Sequence, residues 1–209
     1  MLLTTSRPPR RARGFTLIEL ATVVTVAALL MTAAIPAIAS WLGNARARTV
    51  AEMLQNDLRL AQVEALRRNR QTVFALTSST PAWNTTPAQN GTDWYVRAQP
   101  MLNSTETASS ASFVTGTNYG NQAGVTISGP ALSCFNSMGQ LTSVDSASTG
   151  LGVGCNTADA TDPTKPVSYV VSKTGADRSY KVMVYLGGRV RMCDMSKTLS
   201  STNPDGCPA

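Results

Sequence analysis

Twenty consecutive residues without a charge, 20–39, follow closely on a basic segment that holds Arg7, Arg10, Arg11 and Arg13. As a helix, a run of this size reaches about 30 Å, enough to cross the hydrocarbon of a bilayer. An ordinary secretory signal has a shorter apolar core and a small-residue cleavage site behind it. The arginines ahead of the run are expected to hold the N-terminus in the cytoplasm, so everything after the run is exported. A chain of 209 residues then has room for one folded domain besides this segment.

Charge narrows the functional classes. The net charge is +6, and the four leading arginines account for four of those units. Residues 46–70 carry six basic side chains (Arg46, Arg48, Arg59, Arg67, Arg68, Arg70) against three acidic ones (Glu52, Asp57, Glu64). From residue 71 onward eight basic residues balance eight acidic ones. There is no chain-wide basic coat for non-specific nucleic-acid binding, so any such site is a local patch.

The chain has no histidine, and its four cysteines (Cys134, Cys155, Cys193, Cys207) form no CxxC pair. Zinc needs clustered thiolate or imidazole ligands, so no metal or other cofactor is expected. With no nucleophile elbow and no phosphate loop, an enzyme is not expected either. An even cysteine count in an exported chain suggests two disulfides. The simplest pairing is sequential, Cys134 with Cys155 and Cys193 with Cys207. The other two connectivities stay open.

Glu19 stands at the front of the apolar run. A carboxylate well inside a bilayer costs about 2.5–3.5 kcal/mol, which makes it a functional candidate. Equally, it can lie at the interface and favour the helix N-terminus. Its neighbours bear on the choice. Gly14-Phe15-Thr16-Leu17-Ile18-Glu19-Leu20 resembles the cleavage motif of type IV pilins and type II secretion pseudopilins. The resemblance implies that a prepilin peptidase cuts after Gly14 and methylates Phe15, the first mature residue. It implies that Glu19 attracts the N-terminal amine of a neighbouring subunit. Pro36 falls where many pilins have a proline that kinks the helix, since proline removes a helical hydrogen bond.

Beyond the apolar run, Ala47, Val50, Ala51, Leu54, Leu58, Ala61 and Ala65 recur every three or four residues. This is one stripe of a helix packed on one face, ending near Asn69. Glu64 precedes Arg68 by four residues, the favourable order for a surface pair. Residues 51–70 resemble the helix end of FimT/GspH-type minor pilins and pseudopilins, which implies an α+β fold: a long N-terminal α-helix packed on an antiparallel β-sheet domain. Strands are expected at 72–77, 93–97, 125–128, 133–136, 140–142, 168–172, 180–186 and 189–193. Residues 99–124 and 143–166 read as loops. The expected organisation is a leader over 1–14, a transmembrane and filament-core helix over 15–42, an amphipathic helix over 43–70 and a periplasmic β-rich domain over 71–209.

Gly187-Gly188 between two alternating runs signals a hairpin. In the strand that follows, Arg189 and Arg191 share one side and Val190 and Met192 the other. A two-residue turn puts Leu186 opposite Arg189. A three-residue turn or a bulge instead aligns Leu186 with Val190 and frees the arginines, and this is favoured because it segregates polar from apolar.

Gly188-Arg189-Val190-Arg191 resembles the GRxR motif of FimT-like minor pilins implicated in DNA uptake. This implies phosphate contacts by Arg189 and Arg191, assisted by Lys181 or Lys197. The plainer reading has exposed strand arginines, paired with Asp194 or Asp177 or touching another minor pilin. The resemblances together imply a minor pilin that primes pilus assembly and sits at or near the tip. Its partners would be other minor and major pilins, the prepilin peptidase and the inner membrane. DNA uptake as the main role, or service as a pseudopilin with type II secretion components, are the alternatives.

Overall fold

The computed structural model describes residues 14–100, 105–119, 124–159 and 162–208, apart from the side chains of residues 33 and 36. The leader arginines and the kink expected at Pro36 fall outside this description. The chain divides into two compact units, Met1–Ile38 and Ala39–Ala209. The first holds the start of helix α1 (Leu17–Arg68). Thr16 opens that helix, its hydroxyl accepting from the Glu19 N–H at 3.3 Å, as an N-cap residue does.

In the second unit α1 is amphipathic for a visible reason. All seven residues of the expected stripe are fully buried. Full burial of a leucine such as Leu54 or Leu58 contributes roughly 1.5–3 kcal/mol. The helix stops where Asn69 turns into the left-handed region at φ 49°. The N–H of Arg70 then reaches back to the carbonyl of Ala65 (3.1 Å) and that of Asn69 to Leu66 (3.2 Å), closing the helix in a Schellman arrangement. Glu64 takes both Arg67 and Arg68 at 2.7 Å. The Arg67 hydrogen bond above all, aided by Arg68 against the opposing effect of burial, holds its carboxyl down at about 2.

The helix packs on two sheets. The first runs β3-β2-β1-β5-β6, with β1 (Thr72–Thr77), β2 (Asp93–Ala98), β3 (Phe113–Thr117), β5 (Leu132–Phe135) and β6 (Leu141–Thr142). The second runs β10-β9-β8-β7-β4, with β4 (Val125–Ser128), β7 (Val167–Lys173), β8 (Tyr180–Val184), β9 (Val190–Thr198) and β10 (Gly206–Cys207). All pairings within them are antiparallel except β9 with β10. The expected α+β class is what the structure has. Asp57 ties the helix to the first sheet, accepting from the Trp94 indole (2.7 Å) and the Thr117 hydroxyl (2.9 Å). Tyr169 joins the sheets through a 2.7 Å hydrogen bond to Ser133 and an edge-on contact with Phe74.

Three expectations need correction. Residues 99–124 are not all loop, because 113–117 form β3. This edge strand is short, Ser/Thr-rich neighbours hide it, and its register against β2 slips between Val96 and Arg97. Residues 143–166 are not simply loop either. They contain a short helix, α2 (Ser146–Thr149), capped by Asp145, and a bridge between Val144 and Cys155.

This segment covers the outer face of the first sheet, where Val73, Ala75 and Tyr95 form a second apolar cluster with Val144, Leu151 and Val153. That is why every residue of β1 and β2 is buried. Arg97 pins the cover, donating to the carbonyls of Trp83 (2.9 Å) and Thr149 (2.8 Å).

The third correction concerns the hairpin register. Leu186 does not face Val190. Val190 lies opposite Val184, and Arg191 opposite Met183. The turn does have three residues, but they are Leu186, Gly187 and Gly188, with the Gly188 N–H donating to Tyr185 (2.8 Å) and the Tyr185 N–H to Arg189 (3.0 Å). Gly188 adopts φ +84°, and a Cβ there would overlap the Gly139 carbonyl and the Gln62 amide. Only glycine fits both demands. Polar and apolar faces still separate, because Val182, Val184, Val190 and Met192 all join the core.

Candidate functional site

Two regions hold the candidate residues. At the N-terminus Gly14 and Phe15 precede α1, and Phe15 is 84% exposed. Glu19 lies in the first turn of the helix, where the helix dipole favours a carboxylate. The following turns expose apolar side chains around the helix, including Leu17, Ile18, Val23, Val24, Leu29 and Leu30. A helix apolar all round is suited to lipid or to other chains.

Its hydroxyls need no water. Thr22 donates to the carbonyl of Glu19 (2.9 Å), Thr25 to that of Thr22 (2.8 Å) and Thr32 to that of Leu29 (2.8 Å). Such internal satisfaction is what an apolar medium demands. Taken as two segments of α1, Leu17–Thr32 and Ala37–Arg68 are together long and apolar enough to cross a membrane, though no single helix among the described residues passes that test.

The second region is the outer face of the second sheet. Cross-strand pairing puts Lys181 opposite Cys193 and Met183 opposite Arg191. Lys181, Met183, Tyr185, Arg189 and Arg191 therefore share a side, since opposed residues point the same way. The Arg189 guanidinium stacks on Tyr185 at 4.5 Å. Lys181 lines an open groove of about 470 Å³.

Two of the expected cations are already engaged. Arg191 donates to the carbonyls of Pro204 (3.1 Å) and Gly206 (3.4 Å). Lys197 pairs with Asp205 at 2.6 Å, and this contact holds the Asp205 carboxyl below the usual range. Asp194 is buried and pairs with Arg178 at 3.5 Å rather than with either strand arginine.

Both sequential disulfides are present, Cys134–Cys155 and Cys193–Cys207, and no described cysteine is free. The carbonyls that hold Arg191 carry no side-chain signal and could not be read from sequence. The Tyr185–Arg189 stack could have been, because both residues flank the turn. Among the described residues no group of three potential metal ligands occurs.

Residues 9–35 match the family model described as the prokaryotic N-terminal methylation motif. The chain carries a prokaryotic N-terminal methylation motif. The match spans Arg10, Arg11, Arg13, Gly14, Phe15, Glu19 and the first turns of the apolar helix. Among solved structures, the Pseudomonas aeruginosa (strain PAO1) type IV minor pilin FimU in space group P21 is similar at 15% identity and a TM-score of 0.45, over 72% of this chain and 90% of that one. The same protein in space group P65 is similar at 16% identity and a TM-score of 0.42, over 72% and 94%. No curated protein matches the chain.

Proposed function

We infer that the chain is a minor pilin, made as a membrane-anchored precursor and built into a type IV filament by its N-terminal helix. The carrying observation is the coincidence of the methylation motif with a helix whose apolar side chains stand exposed. Cleavage between Gly14 and Phe15 would place a new amine on Phe15, four residues before Glu19. The leader arginines would set the orientation, with the β-rich domain in the periplasm. The prepilin peptidase and the inner membrane act first, and other minor and major pilins follow. Priming of assembly and a place at or near the tip belong to this reading. Mass analysis of the native protein tests it: the mature chain is expected to begin at N-methylated Phe15. A chain that keeps its first fourteen residues, or starts elsewhere, would sink the identification.

A second reading concerns the same subunit as a binder of duplex DNA. It is favoured by Lys181, Arg189 and Arg191 sharing one sheet face. Arg189 and Lys181 are its main candidates, because Arg191 and Lys197 are held within the chain. Gel-shift assays at two salt concentrations are the check. Binding is expected at low salt, weakening as salt rises, with loss in an Arg189→Gln/Arg191→Gln variant. Undiminished binding by that variant would remove the patch. Use by a type II secretion system is separated from a pilus role by deletion: pilus loss with secretion intact favours the pilus.

A further inference from the structure

Three elements of the globular unit meet at one end and leave large apolar side chains in solvent. The last turns of α1 expose Val63 (53%) and Leu66 (51%), the turn between β5 and β6 exposes Met138 (73%), and the β8–β9 turn exposes Leu186 (62%). They are neighbours because hydrogen bonds tie the three segments together. Gln62 donates to the Gly139 carbonyl at 2.9 Å, and the Leu141 N–H to that of Leu186 at 3.0 Å. A Cβ on Gly139 would lie 3.3 Å from Leu66. Val63 and Leu66 share a helix face by their spacing. Scattered exposed apolar residues need no explanation, but a contiguous group drawn from three elements marks an interaction surface.

The charge around this group selects the occupant. Residues 59–68, 136–140 and 185–189 contain four arginines (Arg59, Arg67, Arg68, Arg189) and a single carboxylate, Glu64. Glu64 is buried and already taken by Arg67 and Arg68. Arg59 and Arg189 remain beside the apolar group with no carboxylate: Arg59 donates to the Val190 carbonyl and the Gln55 side-chain oxygen, both neutral, and Arg189 lies on the Tyr185 ring.

We propose that Val63, Leu66, Met138 and Leu186 form a docking surface for a different protein, one that presents an apolar knob flanked by carboxylates. A second copy docking through the same surface is disfavoured, because it would set Arg59 and Arg189 against their own equivalents with no carboxylate to meet them. All four apolar residues lie in the second unit, so the proposal goes beyond the role of the N-terminal helix and does not depend on it.

The test uses the full-length chain in its host cells, with the photo-crosslinking residue p-benzoylphenylalanine in place of Met138. The expected result is one crosslinked protein other than this chain, with Asp or Glu beside the crosslinked apolar site. An Arg59→Glu/Arg189→Glu variant should lower the yield at least ten-fold, and reversing the partner's carboxylates should restore it. Leu186→Ser touches neither arginine and should also lower the yield, which guards against a folding defect in the charge variant. Crosslinks to a second copy, to lipid alone or to nothing would overturn the proposal, and so would a yield indifferent to both variants.

Discussion

A Glu19→Ala chain is expected to lose its leader normally and yet to be missing from filaments. The two steps would use different parts of residue 19. The N-cap contact runs from the backbone N–H of residue 19 to Thr16, and alanine keeps that N–H. Helix initiation next to Gly14 and Phe15 should therefore survive the change, and a peptidase would meet the same segment. What disappears is the carboxylate.

If Glu19 serves only the helix dipole at an interface, its loss costs about 0.3–1 kcal/mol, which changes incorporation less than ten-fold. If it neutralises the amine of a neighbouring Phe15 inside the apolar packing, removing it strands a buried charge at about 3–5 kcal/mol. At about 1.4 kcal/mol per decade, incorporation falls by at least two orders of magnitude. Glutamine should fail almost as badly, since it supplies an oxygen but no charge. The check is the processed fraction by mass analysis alongside the amount of subunit in the sheared surface fraction. Filaments that carry the alanine subunit at the normal level would remove the role.

The parts of this fold that a periodic pattern reveals share one property: their burial is one-sided. The stripe from Ala47 to Ala65 repeats every three or four residues because a single helix face meets the sheets. The hairpin from Tyr180 to Cys193 alternates because one face meets the core. Strands β1 and β2 were readable only from their β-branched and aromatic residues, since both of their faces are covered.

The cover itself could not be read. Thr149 is fully buried, and its carbonyl is satisfied by Arg97 and Gln99, 52 and 50 residues away in sequence. The hairpin register had the same weakness. The Gly-Gly pair announces a turn, but what places it is the approach of Gly188 to Gly139 and Gln62, which no local pattern encodes. At the candidate sites, Gly14, Phe15 and Glu19 were legible as a contiguous motif. The division of Arg189 and Lys181 from the engaged Arg191 and Lys197 depends on the backbone carbonyls of Pro204 and Gly206 and on Asp205, all placed by the fold of the C-terminal segment. The two disulfides followed from compartment and simple spacing because each closes a short loop.

Removing both disulfides is expected to leave the β-rich domain unfolded or barely folded at 37 °C, although neither loss alone should do so. The bridges close loops of 21 and 14 residues, and loops of that size contribute about 3 kcal/mol each in the chain-entropy model. They share no partners, so their losses should add, to about 6 kcal/mol. That matches the lower end of the 5–15 kcal/mol typical of whole domains.

The two bridges differ in what else they hold. Cys134–Cys155 fastens the cover over Val73, Ala75 and Tyr95, so its loss also exposes apolar surface. Cys193–Cys207 fastens the C-terminal strand whose neighbouring carbonyls receive Arg191. The Cys134→Ala/Cys155→Ala variant should therefore be the less stable of the two double variants. Alanine is the right replacement, because serine would bury a hydroxyl at positions 134, 155 and 193, which have almost no solvent access. Graded reductant should open Cys193–Cys207 first, since Cys207 is half-buried while Cys134 and Cys155 are both buried. Denaturant unfolding of the detergent-solubilised chain measures all three variants. A quadruple alanine variant with nearly the parent midpoint would show that the helix and sheets hold the domain unaided, and that the bridges serve something other than stability.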